Sequence, residues 1–263
     1  MDAVNYKALL ILVSGVTYSI TSLLVVIAIV RRYLKTRYPM GLWIALSLAL
    51  QGLVYAVAFE GNEILLKSHP ALDAASDRLL NGVFRLAACN SLVVALFIFG
   101  YFTYRTFRPG KRWALLLLLA AGLFLSLSKD LTLLMEGPLV STPWLARHWI
   151  LAFYVVGCAS IFGWMSGESL AVWRQLREDA RAGEARDPVV INRFLLWGLA
   201  AAMYAISGVS NLFGKPQAAI VDQPLWIVLM KSANIFIFAI FGYLAWAPPE
   251  FYKSWILSRA KRS

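Results

Sequence analysis

Lys231 stands inside an apolar stretch that runs from Pro224 to Trp246, with Asn234 three residues further on. An ammonium group within a membrane span is costly unless it meets a cavity or a partner, so it marks a place for ligand, proton or ion handling. Similar residues recur at comparable depth in other apolar stretches. Glu60 and Glu63 stand three apart, Arg85 follows Asn81 by four, Lys129 adjoins Asp130, and Asn211 follows Ser207 and Ser210. Glu60, Arg85, Lys129, Asp130, Asn211, Lys231 and Asn234 would bring both signs of charge and two amides to one end of a bundle. That is the chemistry for holding a small polar ligand, or a charged side chain of a partner. The competing reading is that these charges mark helix ends and pair with one another and with lipid headgroups.

The elements that must position them follow from composition. The chain has 263 residues, 60% of them hydrophobic, which is far too apolar for an ordinary soluble domain. A span needs roughly 20 apolar residues, and seven segments qualify: 8–30, 41–60, 81–104, 112–134, 145–172, 190–214 and 224–247. The cations set the orientation. Of 25 basic residues, 17 fall on the side of the first, third and fifth connections and the tail, against six acids on that side, and the other side carries eight of each. The basic connections are therefore expected in the cytoplasm and the amino terminus outside. The net charge of +11 then reflects topology and attraction to anionic lipid, and gives no ground for nucleic-acid binding.

The remaining features support that architecture. Cys89 and Cys158 lie mid-span on different segments and read as small hydrophobes. A hydroxyl stripe in the first segment (Ser14, Thr17, Tyr18, Thr21, Ser22) reads as helix packing, as does Gly163-x-x-x-Gly167 in the fifth, where a dimer face is the second choice. Tryptophans cluster near segment ends, as an interfacial belt requires. Beyond Pro248 and Pro249, aromatic residues alternate with Lys253, Arg259, Lys261 and Arg262, the pattern of an amphipathic helix on the inner surface. His69 and His148 have no metal-site spacing, and no phosphate loop, nucleophile elbow or carboxylate pair points to an enzyme.

This layout, with Ala247-Pro248-Pro249-Glu250-Phe251, resembles the seven-helix sensing modules of bacterial signalling proteins. The resemblance implies an inner-membrane location, and because no kinase, cyclase or phosphatase domain follows Ser263, output through a separate protein. Lys231 in the seventh segment and Trp197 in the sixth resemble the microbial rhodopsins in one respect, which implies retinal as a Schiff base on Lys231. The family's carboxylate four residues before the lysine is Ile227 here, and its third-helix carboxylate is Ala88 if Arg85 matches the family's arginine. A protonated Schiff base without a counterion is strongly disfavoured.

The expectation is an all-α membrane protein. Residues 1–247 would form a seven-transmembrane-helix bundle with its amino terminus outside, and 248–263 a basic amphipathic cytoplasmic tail. Its expected role is non-enzymatic: a receptor-like sensor or accessory subunit, seated in the lipid bilayer of a bacterial inner membrane with a protein partner, a homodimer being one option. The alternatives are a small-solute transporter and a retinal-binding protein.

Overall fold

The computed structural model describes residues 3–37, 39–55, 74–135, 144–210 and 224–260. These residues are almost entirely helical. α1 spans Ala3–Thr36, α2 Met40–Ala49, α3 Ala74–Phe107, α4 Arg112–Met135, α5 Trp144–Arg181, α6 Pro188–Ser210, α7 Leu225–Trp246 and α8 Glu250–Ala260. Four stretches among the described residues, 12–36, 151–181, 188–210 and 225–246, are long and apolar enough to cross a membrane. Such helices are compatible with an integral multi-pass membrane protein.

Local chemistry sets the breaks. Arg37 closes α1 in the left-handed conformation at φ 54°, and its N–H donates to the Tyr33 carbonyl at 2.7 Å. Gly110 (φ 78°) turns the short α3–α4 connection, and Gly183 (φ 91°) ends α5. Asp187 caps α6 by accepting the Val189 N–H at 2.8 Å, with Pro188 at the first helical position. Pro248 and Pro249 stop α7 and let α8 begin in a new direction.

The helices pack in chain order around a ring, each on the next, and α7 closes the ring against α1, while α3 also reaches α5. Short connections of this kind favour neighbouring antiparallel helices. α2 passes directly into a π-helical turn at Leu50–Tyr55, a local widening often found at functional positions. Gly52 in that turn lies against α1, where a Cβ would stand 2.4 Å from Ser22 Oγ. Thr17 and Thr21 of the hydroxyl stripe bond carbonyls of their own helix, and Ser14 and Ser22 are buried.

The core is aromatic and centres on Phe238 of α7. Its ring lies 6.0 Å from Tyr18, 6.4 Å from Phe99, 6.1 Å from Phe162, 6.0 Å from Trp197 and 5.1 Å from Tyr204. One side chain thus joins α7 to α1, α3, α5 and α6, in the offset and edge-on geometries that ring quadrupoles favour. Gln51 Nε2 donates to Tyr204 Oη, so the π-turn is tied into the same cluster.

The helices extend further than the apolar segments suggest: α1 begins at Ala3 and α5 runs on to Arg181. The glycines of α5 also divide differently. Gly157 meets α4, where a Cβ would be 2.6 Å from Leu125 Cγ, but Gly163 and Gly167 face open space. Close internal packing therefore belongs to Gly157, and the Gly163–Gly167 pair meets no helix among the described residues.

Two outcomes are expected. Phe238→Ala should lower stability to reversible detergent unfolding by about 3 kcal/mol, and Phe251→Ala, at a position 74% exposed, should leave it unchanged. Gly52→Ala should cost about 1–3 kcal/mol by overpacking, and adding Ser22→Gly should recover much of that loss; no recovery would place the strain elsewhere.

Candidate functional site

The hollow with the most varied chemistry lies at the end of the bundle that carries the basic connections. It has a volume of about 250 Å³, comparable to the smaller ligand pockets. Five helices wall it: the last turns of α1, α3 and α7, and the first turns of α2 and α6. Phe102, Phe107, Phe194, Trp197 and Trp246 make much of the wall aromatic, and Arg32 and Arg193 are the charged residues of its described lining. Arg32 and Thr36 are exposed at the rim, so the hollow opens beside the basic connection between α1 and α2.

Arg193 is held firmly. Its Nε donates to the Ala245 carbonyl at 2.9 Å, and its guanidinium carbon sits 5.7 Å from the centre of the Trp246 ring. A guanidinium beside an aromatic ring, with one N–H given to a carbonyl, is a geometry that suits arginine. The remaining guanidinium N–H groups form no ion pair among the described residues. Arg193 instead feels the like charge of Arg32 and the opposite charge of Asp187, whose carboxylate also caps α6.

Three further donors belong to side chains of this wall. Trp197 Nε1, Trp246 Nε1 and Thr106 Oγ1 are buried and have no hydrogen-bond partner among the described residues. Buried polar groups are nearly always paired, and leaving one unpaired costs about 1–3 kcal/mol. Trp197 itself is 2% exposed and packs edge-on against Trp246, with ring centroids 5.7 Å apart. These donors are sealed within the wall and do not open into the hollow; its described lining carries two cations and no acid.

Of the residues singled out in the sequence, Lys231 is half-buried on α7, and Asn234 on the same helix is 2% exposed, its Nδ2 without a partner among the described residues. Ile227, which stands where a rhodopsin-like counterion would be, is fully buried. Arg85 lies on α3, and Lys129 and Asp130 lie on α4, but their side chains fall outside the described residues, as do Glu60, Glu63 and Asn211 entirely. The described residues thus bring Lys231 and Asn234 together on one helix.

Arg193 and Arg32 were legible only as topological charges. The signal that distinguishes Arg193 is its position, five residues beyond Pro188 and inside α6, where a charge that only marked orientation would have no reason to be.

Glu168, the one acid in the apolar segment 145–172, has a structural partner. It accepts from Arg108 Nε at 2.7 Å and from Trp164 Nε1 at 3.1 Å, pinning the α3–α4 connection to α5. The hydrogen bond, reinforced by the carboxylate's charge, raises Arg108 above the ordinary guanidinium range. The chain matches no family model, no curated protein and no solved structure at a significant level.

Glu168→Gln should free that connection. Trypsin should then cut after Arg108 or Lys111 several-fold faster in the folded protein, and an unchanged rate would show that the pair does not restrain the loop.

Proposed function

We propose that the chain is a non-enzymatic, seven-span protein of a bacterial inner membrane, acting as a receptor-like sensor or as the accessory subunit of a membrane complex. In this reading the amino terminus is outside, and the basic connections and α8 are cytoplasmic. The observation that carries it is the five-helix hollow, in which Arg193 of α6 grips the end of α7 through the Ala245 carbonyl. An occupant touching both helices would act on their packing, and differential contact of that kind is what shifts a conformational equilibrium.

Transport is the second reading, and Asn234 gives it one specific observation. This buried amide on α7, without a partner among the described residues, stands about three turns before Trp246, with Phe238 between them along the helix. Between the two levels the rings of Phe99, Phe162, Trp197, Tyr204 and Phe238 pack against one another. A conduit would have to break this cluster in every cycle, so a closed receptor core is the better fit to the geometry.

A native mass spectrum of the protein gently extracted from its own membrane tests the reading. A stoichiometric protein partner or a retained small molecule is expected. A bare chain with neither, together with solute flux into proteoliposomes, would replace it by transport. An adduct on Lys231 would instead favour retinal. Lys231→Met and Arg85→Met should each weaken ligand or partner retention if the opposite end contributes a site, and unchanged retention would remove those residues from it. For orientation, a cysteine placed at Ser258 should react with an impermeant maleimide only after the cytoplasmic face is opened.

A further inference from the structure

We infer that the hollow at the basic end binds an amphipathic anion: a carboxylate or phosphate head held by Arg32 and Arg193, with an apolar body among the aromatic side chains. The inference rests on the receptor-like reading of this hollow and names the chemistry of its ligand.

Two independent observations converge on it. First, two guanidinium groups border one small space with no acidic residue among its described lining. Like charges brought together repel, and a counter-anion between them relieves the repulsion. Arginine's fork also matches the paired oxygens of a carboxylate or phosphate. Second, much of the remaining wall is ring and alkyl surface from Ile29, Phe102, Phe107, Phe194 and Val190. A fully hydrated ion such as free phosphate leaves that surface without a partner, whereas an attached chain or ring covers it.

The surroundings suggest how such a molecule arrives. A second hollow of about 310 Å³ adjoins the first, and Arg32 and Trp246 are common to both. It lies between α1 and the α7–α8 junction, with Leu24, Ile27 and Ala28 on its apolar side and Arg31 on its charged side, beside Lys253, which is paired with Glu250. Apolar residues next to cations on an outward surface are the signature of an acidic lipid at the membrane boundary. The head could then pass from Arg31 to Arg32 without leaving a cationic path. An anion from the aqueous side would instead enter past Arg32 and Thr36 at the rim.

The test is native mass spectrometry of the full chain, delipidated in detergent and titrated separately with oleate, dioleoylphosphatidylglycerol, oleyl alcohol and inorganic phosphate. One oleate or one phosphatidylglycerol should be retained with an affinity about tenfold or more above oleyl alcohol, and phosphate alone should not be retained. Retention of the phospholipid but not oleate identifies the bilayer as the source, and the reverse identifies a free carboxylate. Arg32→Met should bring the anions down to the level of the alcohol, and Arg32→Lys should keep part of the preference. Arg193→Met should do the same, but Arg193 also holds the Ala245 carbonyl, so the exposed Arg32 carries the decision. Equal retention of oleate and oleyl alcohol, or full anion retention in Arg32→Met, overturns the anion assignment and leaves an apolar ligand site. Phosphate retained as tightly as oleate overturns the apolar half. If none of the probes is retained, the ligand-binding role of the hollow falls with it.

Discussion

The packing of Phe238 is the constraint on which the rest of the structure depends. In a bilayer, burying an apolar side chain between helices gains little over leaving it in lipid, so association rests on close contact and on hydrogen bonds. Phe238 supplies such contact to rings on four other helices. Rigid side chains with only two torsions fix the relative rotation of those helices at small entropic cost. Gln51 and Tyr204 add the polar element, a bond across the same cluster that holds the π-turn in register. The ring order of the bundle, with α7 returning to α1, follows from this one centre.

The hollow at the basic end exists because that cluster stops. Trp197 and Trp246 belong to the aromatic core and to the wall of the hollow at once, so its floor has the rigidity of the core. Its roof is made of helix ends, where α1, α3 and α7 finish and α2 and α6 begin. Helix ends are where stability falls towards zero and where small displacements are least opposed. A solid floor under a deformable roof is an arrangement in which occupancy alters the roof and leaves the core in place.

Much of the scaffold was legible in the sequence, because long apolar runs bounded by Pro39, Gly110, Gly183, Pro224 and Pro248 have few alternatives to helices. What lay beyond reach is physical in origin. A π-turn at Leu50–Tyr55 changes only one hydrogen bond per residue and leaves no mark in hydropathy. Gly163 and Gly167 have the right spacing for a helix contact, but spacing fixes a face and not the direction in which that face points; Gly157 one and a half turns earlier found α4. The candidate site was legible least. Arginine near a membrane boundary has two explanations, orientation and chemistry, and sequence counts both alike. Arg193 separates them only when its contact with Ala245 and Trp246 is seen. Residues such as Lys231 and Asn234 stand out by contrast with their apolar neighbours, and so drew attention to the opposite end.

The first turns of α6 connect the hollow to the tail. Arg193 donates to the Ala245 carbonyl at 2.9 Å, and its neighbour Asn192 donates through Nδ2 to Tyr252 Oη at 2.7 Å. Two adjacent residues therefore hold the last turn of α7 and the first turn of α8, on either side of the bend at Ala247 (φ −132°, ψ 51°). That bend is a joint, since α7 has ended and the two prolines prevent its hydrogen-bond ladder from continuing. Coupling between sites requires an element with alternative arrangements that both sites bias, and proximity alone does not supply one. Arg193 on one side and Asn192 on the other hold that joint in the observed arrangement. Drawing Arg193 towards an occupant would load the Ala245 contact while the Tyr252 contact stays anchored, and the difference would appear as rotation of α8. The exposed Phe251 and Trp255 on that helix are the groups that would report the rotation, to the membrane surface or to a partner resting on it.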